Sequence, residues 1–381
     1  MTRNRLLVVA GEASGDQRAA RLVTELGARR PGLEVFGLGG DDLIAAGCRI
    51  VAHSREIAVV GISEALRVLP RAREIFAGLL DEVDRDPPLA AVLVDSPEFN
   101  LRLAAQLARR DIPVVYYVSP QVWAWRRGRV RKIASSVDLM LVLFDFEETF
   151  FRERGIDAVH VGHPLVDEVP VLEQAWDRDG ASFRGPFRIS LLPGSRRSEI
   201  EHLLPSMLDA AQRLVQVLPV EPRIIVAPTV PRSLVEKHME RAGATFELVE
   251  RGRFEAIADS HLAICASGTA TLEVGLLGTP MVVAYRLTPI SYLLARALVR
   301  LPHFSLVNLV LGRGVVPELL QRQAAGPALA KAVAGLLGDP ARITAMRADL
   351  ATLRSALGAP GASRRAAEQV ESLLARLEVP A

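Results

Sequence analysis

Residues 262–286 read LAICASGTATLEVGLLGTPMVVAYR, and this stretch decides the fold of the chain. Its apolar start predicts a short buried strand over Leu262–Ala266. The next residues predict a helix over Ala270–Leu277, which Gly278 ends. A second apolar run predicts another strand over Met281–Tyr285. A strand, a loop, a helix and a further strand form the repeating unit of a parallel α/β sheet.

The loop inside this stretch, Ser267-Gly268-Thr269, is a candidate anion site. Small residues before a helix leave backbone N–H groups unpaired at the positive end of the helix dipole. Glu273 lies about one turn further on, where its carboxylate can accept hydrogen bonds from sugar hydroxyls. A site for a phosphate at the helix N-terminus and a site for a sugar diol one turn later together predict a nucleotide diphosphate as the ligand. An ordinary strand-loop-helix corner with a solvated glutamate is the alternative interpretation.

The composition narrows the class of protein. The chain has 381 residues, a net charge of +2, half of its residues hydrophobic and two cysteines. This length suits about two or three domains. No uncharged apolar run reaches the length of about 18 residues that a transmembrane helix needs, and the cysteine usage fits a reducing cytoplasm. With 5% aromatic residues and no basic stripe, no nucleic-acid partner is predicted.

Strands and helices alternate along most of the chain. Gly11-Glu12-Ala13-Ser14-Gly15-Asp16 follows the first strand and lacks the G-x-G-x-x-G pattern, so NAD is not predicted. Val169–Pro186 is predicted to be a linker, and the chain past Pro317 is predicted to be helical. The other predicted strands are Leu6–Ala10, Glu34–Leu38, Leu89–Val94, Val114–Val118, Leu139–Phe144, Asp157–Val161, Arg188–Leu192, Arg223–Ala227 and Phe246–Val249.

Polar residues follow two predicted strands of the first half. Asp95 and Glu98 come after Leu89–Val94, at the sheet edge where α/β proteins bind ligands, and one of them is a candidate general base. A role for Asp95 in capping the next helix is the alternative. Gln121 and Trp123 follow Val114–Val118, and they predict either a binding surface or a loop plug over the core.

In the second half, Arg196 follows the strand Arg188–Leu192 within Gly-Ser-Arg, which suits a pyrophosphate; a solvated basic turn is the alternative. Two arginine-edged amphipathic helices are predicted over Ser63–Val83 and Ile290–Leu301. Such helices face either the core or an anionic membrane surface.

Several motifs, in this order along the chain, resemble the lipid-A-disaccharide synthase family. That resemblance implies the GT-B plan, in which two Rossmann-like domains face each other across a cleft and a C-terminal helix crosses back to the first domain. The expected domains are residues 1–168 for the acceptor, 169–345 for the UDP-sugar donor and 346–381 for the C-terminal helices. The motifs are VAGEASGD (Val9–Asp16), SPQVWAWR (Ser119–Arg126), LLPGSR (Leu191–Arg196), ASGTATLE (Ala266–Glu273), PMVVAYR (Pro280–Arg286) and SLVNL (Ser305–Leu309).

The resemblance implies an inverting hexosyltransferase of lipid A and lipopolysaccharide biosynthesis in Gram-negative bacteria. It would join UDP-2,3-diacylglucosamine to 2,3-diacylglucosamine 1-phosphate by a β-1,6 bond and release UDP, with no cofactor and no metal. The enzyme would lie at the cytoplasmic face of the inner membrane as a peripheral protein. A homodimer is left open.

The same resemblance assigns roles to individual residues. Asp95 would be the base for the acceptor hydroxyl, although the nearby Glu98 leaves the choice open. The remaining carried-over positions bind substrates. On the donor side they are Arg196, Ser267, Gly268, Thr269, Glu273 and Asn308, and on the acceptor side Ser14, Asp16, Glu98, Gln121 and Trp123. The competing hypotheses are another UDP-sugar enzyme of this architecture, namely an epimerase or an undecaprenyl-linked transferase, and a non-catalytic nucleotide-lipid binder.

Overall fold

Two parallel sheets form the framework of the protein. The structure is a computed structural model that describes residues 4–57, 62–123, 127–180, 182–288, 292 and 301–378. Most of the predicted helix Ile290–Leu301, and the end of SPQVWAWR, lie outside these residues. The chain divides into two units. The first consists of two segments, Met1–Pro164 and Gly358–Ala381, and the second is Leu165–Leu357.

The first unit is built on a parallel sheet of seven strands in the order β3-β2-β1-β4-β5-β6-β7. Apart from Arg5, the central strands are apolar or aromatic along their length, as expected of a parallel sheet whose two faces are covered by helices. The strands are β1 (Arg5–Ala10), β2 (Glu34–Gly39), β3 (Arg49–His53), β4 (Ala90–Val94), β5 (Val114–Tyr117), β6 (Leu139–Val142) and β7 (Ala158–His160). The helices are α1 (Ala13–Arg29), α2 (Asp41–Ala45), α3 (Ile62–Arg85), α4 (Pro97–Ala108), α5 (Val130–Ala134) and α6 (Asp145–Arg152).

The predicted amphipathic helix Ser63–Val83 is confirmed as α3, which contains Pro70. Its later turns face the core, since Ile75, Leu79 and Val83 are buried there. Near Pro70, Leu69 is 38% exposed. Within the described part of the chain, no helix is both long enough and apolar enough to span a bilayer.

The second unit carries six parallel strands in the order β10-β9-β8-β11-β12-β13. Its strands are β8 (Phe187–Leu192), β9 (Val220–Ile225), β10 (Glu247–Val249), β11 (Leu262–Ala266), β12 (Met281–Tyr285) and β13 (Glu318–Leu320). Its helices are α7 (Leu165–Glu168), α8 (Ala175–Asp179), α9 (Arg197–Val217), α10 (Arg232–Ala242), α11 (Arg253–Ala258), α12 (Thr269–Leu276), α13 (Leu306–Leu311), α14 (Gly326–Leu337), α15 (Pro340–Ala351) and α16 (Leu353–Ala356).

The last described helix, α17 (Ala362–Glu378), returns to the first unit, as the fold prediction requires. It packs along α1, and Arg29 donates to Glu368 at 2.7 Å and to Glu371 at 3.3 Å. Its apolar face is buried through Ala366, Val370 and other residues. The prediction of two Rossmann-like sheets and a returning C-terminal helix is therefore confirmed.

Two short strands differ from the sequence prediction. The expectation that the chain is helical past Pro317 is wrong for Glu318–Leu320, which pairs in parallel with β12. The strand β3 was also not predicted. Both are edge strands of three or five residues, which is too short for hydrophobic periodicity to identify them.

The segment predicted as a linker, Val169–Pro186, is packed on the second sheet. It contains α8, in which Trp176 is buried and its indole N–H donates to the His261 carbonyl oxygen at 2.7 Å. The ring of Phe183 stacks on the His261 ring with 4.6 Å between centroids. This segment is thus anchored to the second unit by buried aromatic contacts.

Candidate active site

Both sheets have a topological switch point. From the first strand of each unit, the chain adds strands on one side of the sheet and then crosses to the other side. The switch point lies between β1 and β4 in the first sheet and between β8 and β11 in the second. Ligands of open α/β sheets bind outside the carboxyl ends of the strands at such points. Asp95 directly follows β4, and Arg196 lies four residues after β8. The predicted base and the predicted diphosphate ligand therefore both lie at switch points.

Asp95 leaves β4 in an unusual backbone conformation. Its φ is 51° and that of Ser96 is 45°, so two consecutive residues with a Cβ are left-handed. This region is sparsely populated outside glycine, and strained residues concentrate at functional sites. The Asp95 carbonyl oxygen accepts hydrogen bonds from Tyr116 Oη at 2.6 Å and Asn100 Nδ2 at 2.8 Å. Neither donor was singled out by sequence reasoning. Tyr116 lies in an apolar strand pattern, and Asn100 was noted only as the end of the polar segment that follows β4.

Glu98, the rival carboxylate, lies in the first turn of α4 and is 64% exposed. Arg129 Nη2 donates to both of its oxygens, at 2.8 and 3.0 Å. An ion pair this exposed is weak. It nevertheless occupies both oxygens of Glu98.

Ser14 and Asp16, the predicted cleft residues after β1, differ in their surroundings. Ser14 is exposed in the first turn of α1. Asp16 is buried, and its carboxylate accepts from the backbone N–H groups of Gly40 at 2.6 Å and Asp42 at 3.0 Å. Asp16 thus fixes α1 to the loop after β2.

Trp123 and Gln121 lie in the loop after β5, where Gln121 is exposed and Trp123 is buried. The indole N–H of Trp123 donates to Glu147 Oε1 at 2.9 Å, and Ser119 Oγ donates to the same oxygen at 2.7 Å. The other oxygen accepts from Leu143 N and Phe144 N, both at 3.3 Å. The buried position of Trp123 matches the loop-plug alternative.

Glu147 itself was missed by sequence reasoning. Burial raises its pKa to about 6, although four donors surround the carboxylate and oppose that shift. Glu147 lies in the first turn of the helix after β6, at the position of a capping carboxylate. This position is the only feature of the sequence that could have identified Glu147 as a structural residue.

Arg196 lies at the N-cap of α9, and its side chain is 73% exposed. The backbone N–H groups of this loop are already engaged, since Glu199 Oε2 accepts from Ser195 N at 2.9 Å and Arg196 N at 3.3 Å. Gly194 has a φ of 118°, and a Cβ there would lie 2.3 Å from Glu199 Oε2. The loop therefore requires glycine, and it offers the exposed guanidinium rather than N–H groups to an anion.

The Ser267-Gly268-Thr269 loop opens α12 differently. Gly268 has a φ of 148°, and a Cβ there would meet no atom within 4 Å. Thr269 is exposed, and Ser267 Oγ donates to the Phe304 carbonyl oxygen at 2.9 Å. Across the described ranges, no side chain caps the first turn of α12. Its N–H groups and the open space beside Gly268 suit an anion.

Glu273, one turn into α12, has a side chain that is only 18% exposed. Burial raises the pKa of its carboxyl group, and the charge of Arg253, whose Nη2 lies 3.3 Å from Glu273 Oε1, opposes that rise. The carboxylate therefore lies in a largely desolvated place beside the predicted phosphate loop.

Asn308 uses all of its hydrogen-bonding capacity within the protein. Its Nδ2 donates to the Val316 carbonyl oxygen at 2.9 Å and to Glu318 Oε1 at 3.0 Å. Its Oδ1 accepts from Val315 N at 2.8 Å and Val316 N at 2.9 Å. A direct hydrogen bond to a donor substrate would have to replace one of these four.

Glu318, which sequence reasoning missed, joins Asn308 to the loop before α13. Its Oε1 accepts from Ser305 N at 2.8 Å, and Phe304 N lies 3.2 Å from both of its oxygens. Since Ser267 donates to the Phe304 carbonyl oxygen, these bonds connect the loop to the candidate anion site. No sequence motif pointed to this residue, which lies in a three-residue strand.

A family model described as lipid-A-disaccharide synthetase matches residues 6–372 of the chain. The lipid-A-disaccharide synthase of Myxococcus xanthus is 46% identical over 374 residues, which are 97% of this chain and 97% of that one. The enzyme of the same name from Anaeromyxobacter dehalogenans is 45% identical over 371 residues, 96% of this chain and 97% of the relative.

Solved structures with the same architecture include sugar-nucleotide enzymes of different kinds. The calicheamicin glycosyltransferase CalG4 covers 100% of both chains with a TM-score of 0.61 at 17% identity. The UDP-GlcNAc 2-epimerase of Neisseria meningitidis, bound to UDP-GlcNAc, has a TM-score of 0.64 at 14% identity and covers 97% of this chain and 100% of its own. At such low identities the likeness shows the fold alone.

Proposed function

Since the chain belongs to the lipid-A-disaccharide synthase family, we propose that its two switch points divide the work of one glycosyl transfer. The chain is a glycosyltransferase of lipid A biosynthesis. It condenses UDP-2,3-diacylglucosamine with 2,3-diacylglucosamine 1-phosphate to the lipid A disaccharide 1-phosphate and releases UDP. The observation that carries this function is the sequence match over nearly the whole length of the chain and of its relatives.

We propose Asp95 as the general base. The 6-hydroxyl oxygen of the acceptor attacks the anomeric carbon of the donor, the bond from that carbon to the diphosphate breaks, and the hydroxyl proton passes to the Asp95 carboxylate. Asp95 lies at the switch point in a strained conformation, whereas both oxygens of Glu98 face Arg129. These two observations favour Asp95 as the base.

The leaving diphosphate is assigned to Arg196 and the first turn of α12. The charge that develops on the departing oxygen needs donors that are already in place. Arg196 offers an exposed guanidinium, and α12 offers N–H groups that no described side chain caps. Glu273 would accept from the ribose hydroxyls one turn further on. Asn308 would act indirectly, by holding the chain around Glu318.

On the acceptor side, the exposed Ser14 and Gln121 are the residues proposed to contact the sugar or its phosphate. Asp16 and Trp123 would support them from within the fold, since both side chains are bonded to protein groups. The proposal thus divides four of the five predicted acceptor residues into two that contact substrate and two that shape the loops. The fifth, Glu98, is paired with Arg129.

Peripheral association with the cytoplasmic face of the inner membrane is also proposed, because both substrates carry acyl chains. The exposed Leu69 beside Pro70 in α3 supports a membrane-facing segment there. Flotation with vesicles of anionic phospholipid tests this idea, with Leu69→Ser as the variant and the exposed Ile44→Ser of α2 as its matched control. Reduced flotation of Leu69→Ser alone supports the contact. Equal flotation of both variants with the unaltered protein contradicts it.

The function is tested with purified protein in mild detergent with EDTA, where mass spectrometry detects the tetraacyl disaccharide 1-phosphate. Product must disappear when either substrate is omitted. Asp95→Asn is expected to abolish turnover and to leave the Kd for UDP unchanged, while Glu98→Gln, the matched control, keeps most of the activity. Light scattering of the same preparation distinguishes a monomer from a homodimer.

Near-normal turnover by Asp95→Asn would refute the base assignment. Absence of product with tight UDP binding would favour the non-catalytic binder. An epimerase or an undecaprenyl-linked transferase is not favoured. The chain matches the synthases in sequence over nearly its full length, whereas its likeness to the epimerase is one of fold alone.

A further inference from the structure

The backbone on both sides of Asp95 is fixed by hydrogen bonds from buried groups. Asp95 N donates to the Tyr117 carbonyl oxygen at 3.0 Å, which extends the pairing of β4 with β5 by one residue. The Asp95 carbonyl oxygen accepts from Tyr116 Oη at 2.6 Å and from Asn100 Nδ2 at 2.8 Å. Both peptide groups of the proposed base are therefore held in place just where the backbone becomes left-handed.

The two donors come from different elements and converge on one atom. Tyr116 lies in β5, where it is paired with Leu93 of β4, and Asn100 lies in α4. Both side chains are completely buried. Asn100 Nδ2 also donates to the Val94 carbonyl oxygen at 3.1 Å, so the amide spans the last residue of β4 and the first residue beyond it.

The chemistry of each donor indicates a specific purpose. A buried hydroxyl is unfavourable unless it is hydrogen-bonded, and phenylalanine would fill the same volume without that cost. Burial, and then the nearby charge of Asp95, raises the pKa of Tyr116 well above its ordinary value, so its oxygen keeps the proton that it donates. Asn100 Oδ1 is buried and accepts no hydrogen bond from any described residue. Its NH₂ group is thus the part that the fold uses.

We propose that Tyr116 and Asn100 are positioning residues for catalysis, which hold Asp95 in the left-handed conformation that aims its carboxylate at the acceptor hydroxyl. This inference rests on the proposed role of Asp95 as the base. Neither side chain contacts substrate in this account, and each acts only through the Asp95 carbonyl oxygen. Without these donors the residue relaxes toward an ordinary conformation, and the carboxylate moves away from the reacting proton.

The first test is Tyr116→Phe, which removes one hydroxyl oxygen and no volume elsewhere. We expect kcat to fall about tenfold or more, because small misplacements of a reacting group have large effects on rate. The KM values of both substrates and the Kd for UDP, measured by calorimetry, should stay within about twofold of the unaltered enzyme. The stoichiometry of UDP binding gives the folded fraction, to which kcat is normalised. Tyr117→Phe, in the same strand and equally buried, is the matched control and should retain kcat.

A second test separates positioning from a general effect on the fold. In the Asp95→Asn background, Tyr116→Phe should leave the residual rate unchanged, because residues that act through one group are not additive. Asn100→Asp, which replaces the donating NH₂ group by an acceptor, should reproduce the loss of kcat.

Several results would overturn the inference: an unchanged kcat for Tyr116→Phe, an equal loss in the Asp95→Asn background, or a loss in Tyr117→Phe as large as in Tyr116→Phe. If Asp95→Asn itself keeps normal turnover, the base assignment fails instead. The failure of the positioning role and the failure of the proposed base are therefore distinguishable.

Discussion

Replacing Glu318 by glutamine tests whether one carboxylate, only 12% exposed, holds the loop before α13 in place beside the candidate anion site. The carboxylate accepts from Ser305 N, Phe304 N and Asn308 Nδ2. An amide turned so that its oxygen occupies the Oε1 position keeps the bonds from Ser305 N and Asn308 Nδ2, and the longer one of 3.2 Å from Phe304 N, as neutral ones. The NH₂ group of the amide then faces Phe304 N, so that Phe304 N loses its bond to the second carboxylate oxygen.

The magnitude follows from the loss of charge. Hydrogen bonds to charged groups contribute about 1.5–3 kcal/mol and neutral ones about 0.5–1.5 kcal/mol, so the two shorter retained bonds, from Ser305 N and Asn308 Nδ2, together weaken by about 2 kcal/mol. Because Ser267 donates to the Phe304 carbonyl oxygen, part of this loss reaches the candidate anion site. If all of it did, the Kd for UDP would rise about 30-fold.

The assay pairs calorimetry of UDP binding with urea unfolding. We expect Glu318→Gln to weaken UDP binding between about threefold and 30-fold. Glu221→Gln, an exposed carboxylate on β9 of the same sheet, is the control and should change neither quantity. A fall in the free energy of unfolding with an unchanged Kd for UDP would show that Glu318 only stabilises the fold, and the proposed link to the candidate anion site would be wrong.

Two other changes probe the loops at the sheet edges. Gly194→Ala should lower the free energy of unfolding by about 1–3 kcal/mol and weaken UDP binding, because its Cβ would meet the capping carboxylate of Glu199. The control is Gly243→Ala, at a position that also has a positive φ but has open space around it. It should lose less stability in the same urea titration and leave UDP binding intact. For Glu147, the folded-state pKa of about 6 lies above the ordinary 4.5, so the folded state binds the extra proton between these values and stability falls as pH rises through that window. Relative to Glu147→Gln, the unaltered protein should therefore lose about 2 kcal/mol of unfolding free energy between pH 4.5 and 7, and parallel curves for the two proteins would contradict the shift.

The fold was largely predictable because its signals are local. Uninterrupted apolar runs such as Leu262–Ala266 identify buried parallel strands, and the structure has that strand at the predicted residues. The order of strands at each switch point then brings Asp95 and Arg196 to a carboxyl edge. The edge strands β3 and β13 escaped prediction because a few residues carry no measurable period.

Two of the buried groups that were missed, Glu147 and Tyr116, depend on long-range pairing. Glu147 meets Ser119 and Trp123 across 28 and 24 residues, and Tyr116 meets the Asp95 carbonyl oxygen across 21. A polar side chain that bonds to a distant backbone group leaves no periodic pattern near itself in the sequence. The sequence therefore indicates which loops carry chemistry, and the structure identifies the buried groups that hold those loops.

The second unit also explains why two similar strand-loop-helix corners need not have the same task. Both β8–α9 and β11–α12 place a glycine-containing loop before a helix at the same switch point. In the first corner, Glu199 accepts the loop N–H groups itself, and a negative charge already lies where an anion would bind. In the second, the helix begins without a capping side chain, and the nearest carboxylate along the helix is Glu273, one turn inside. We therefore propose, on electrostatic grounds, that a phosphate binds at the N–H groups of α12 and that the β8–α9 corner contributes Arg196.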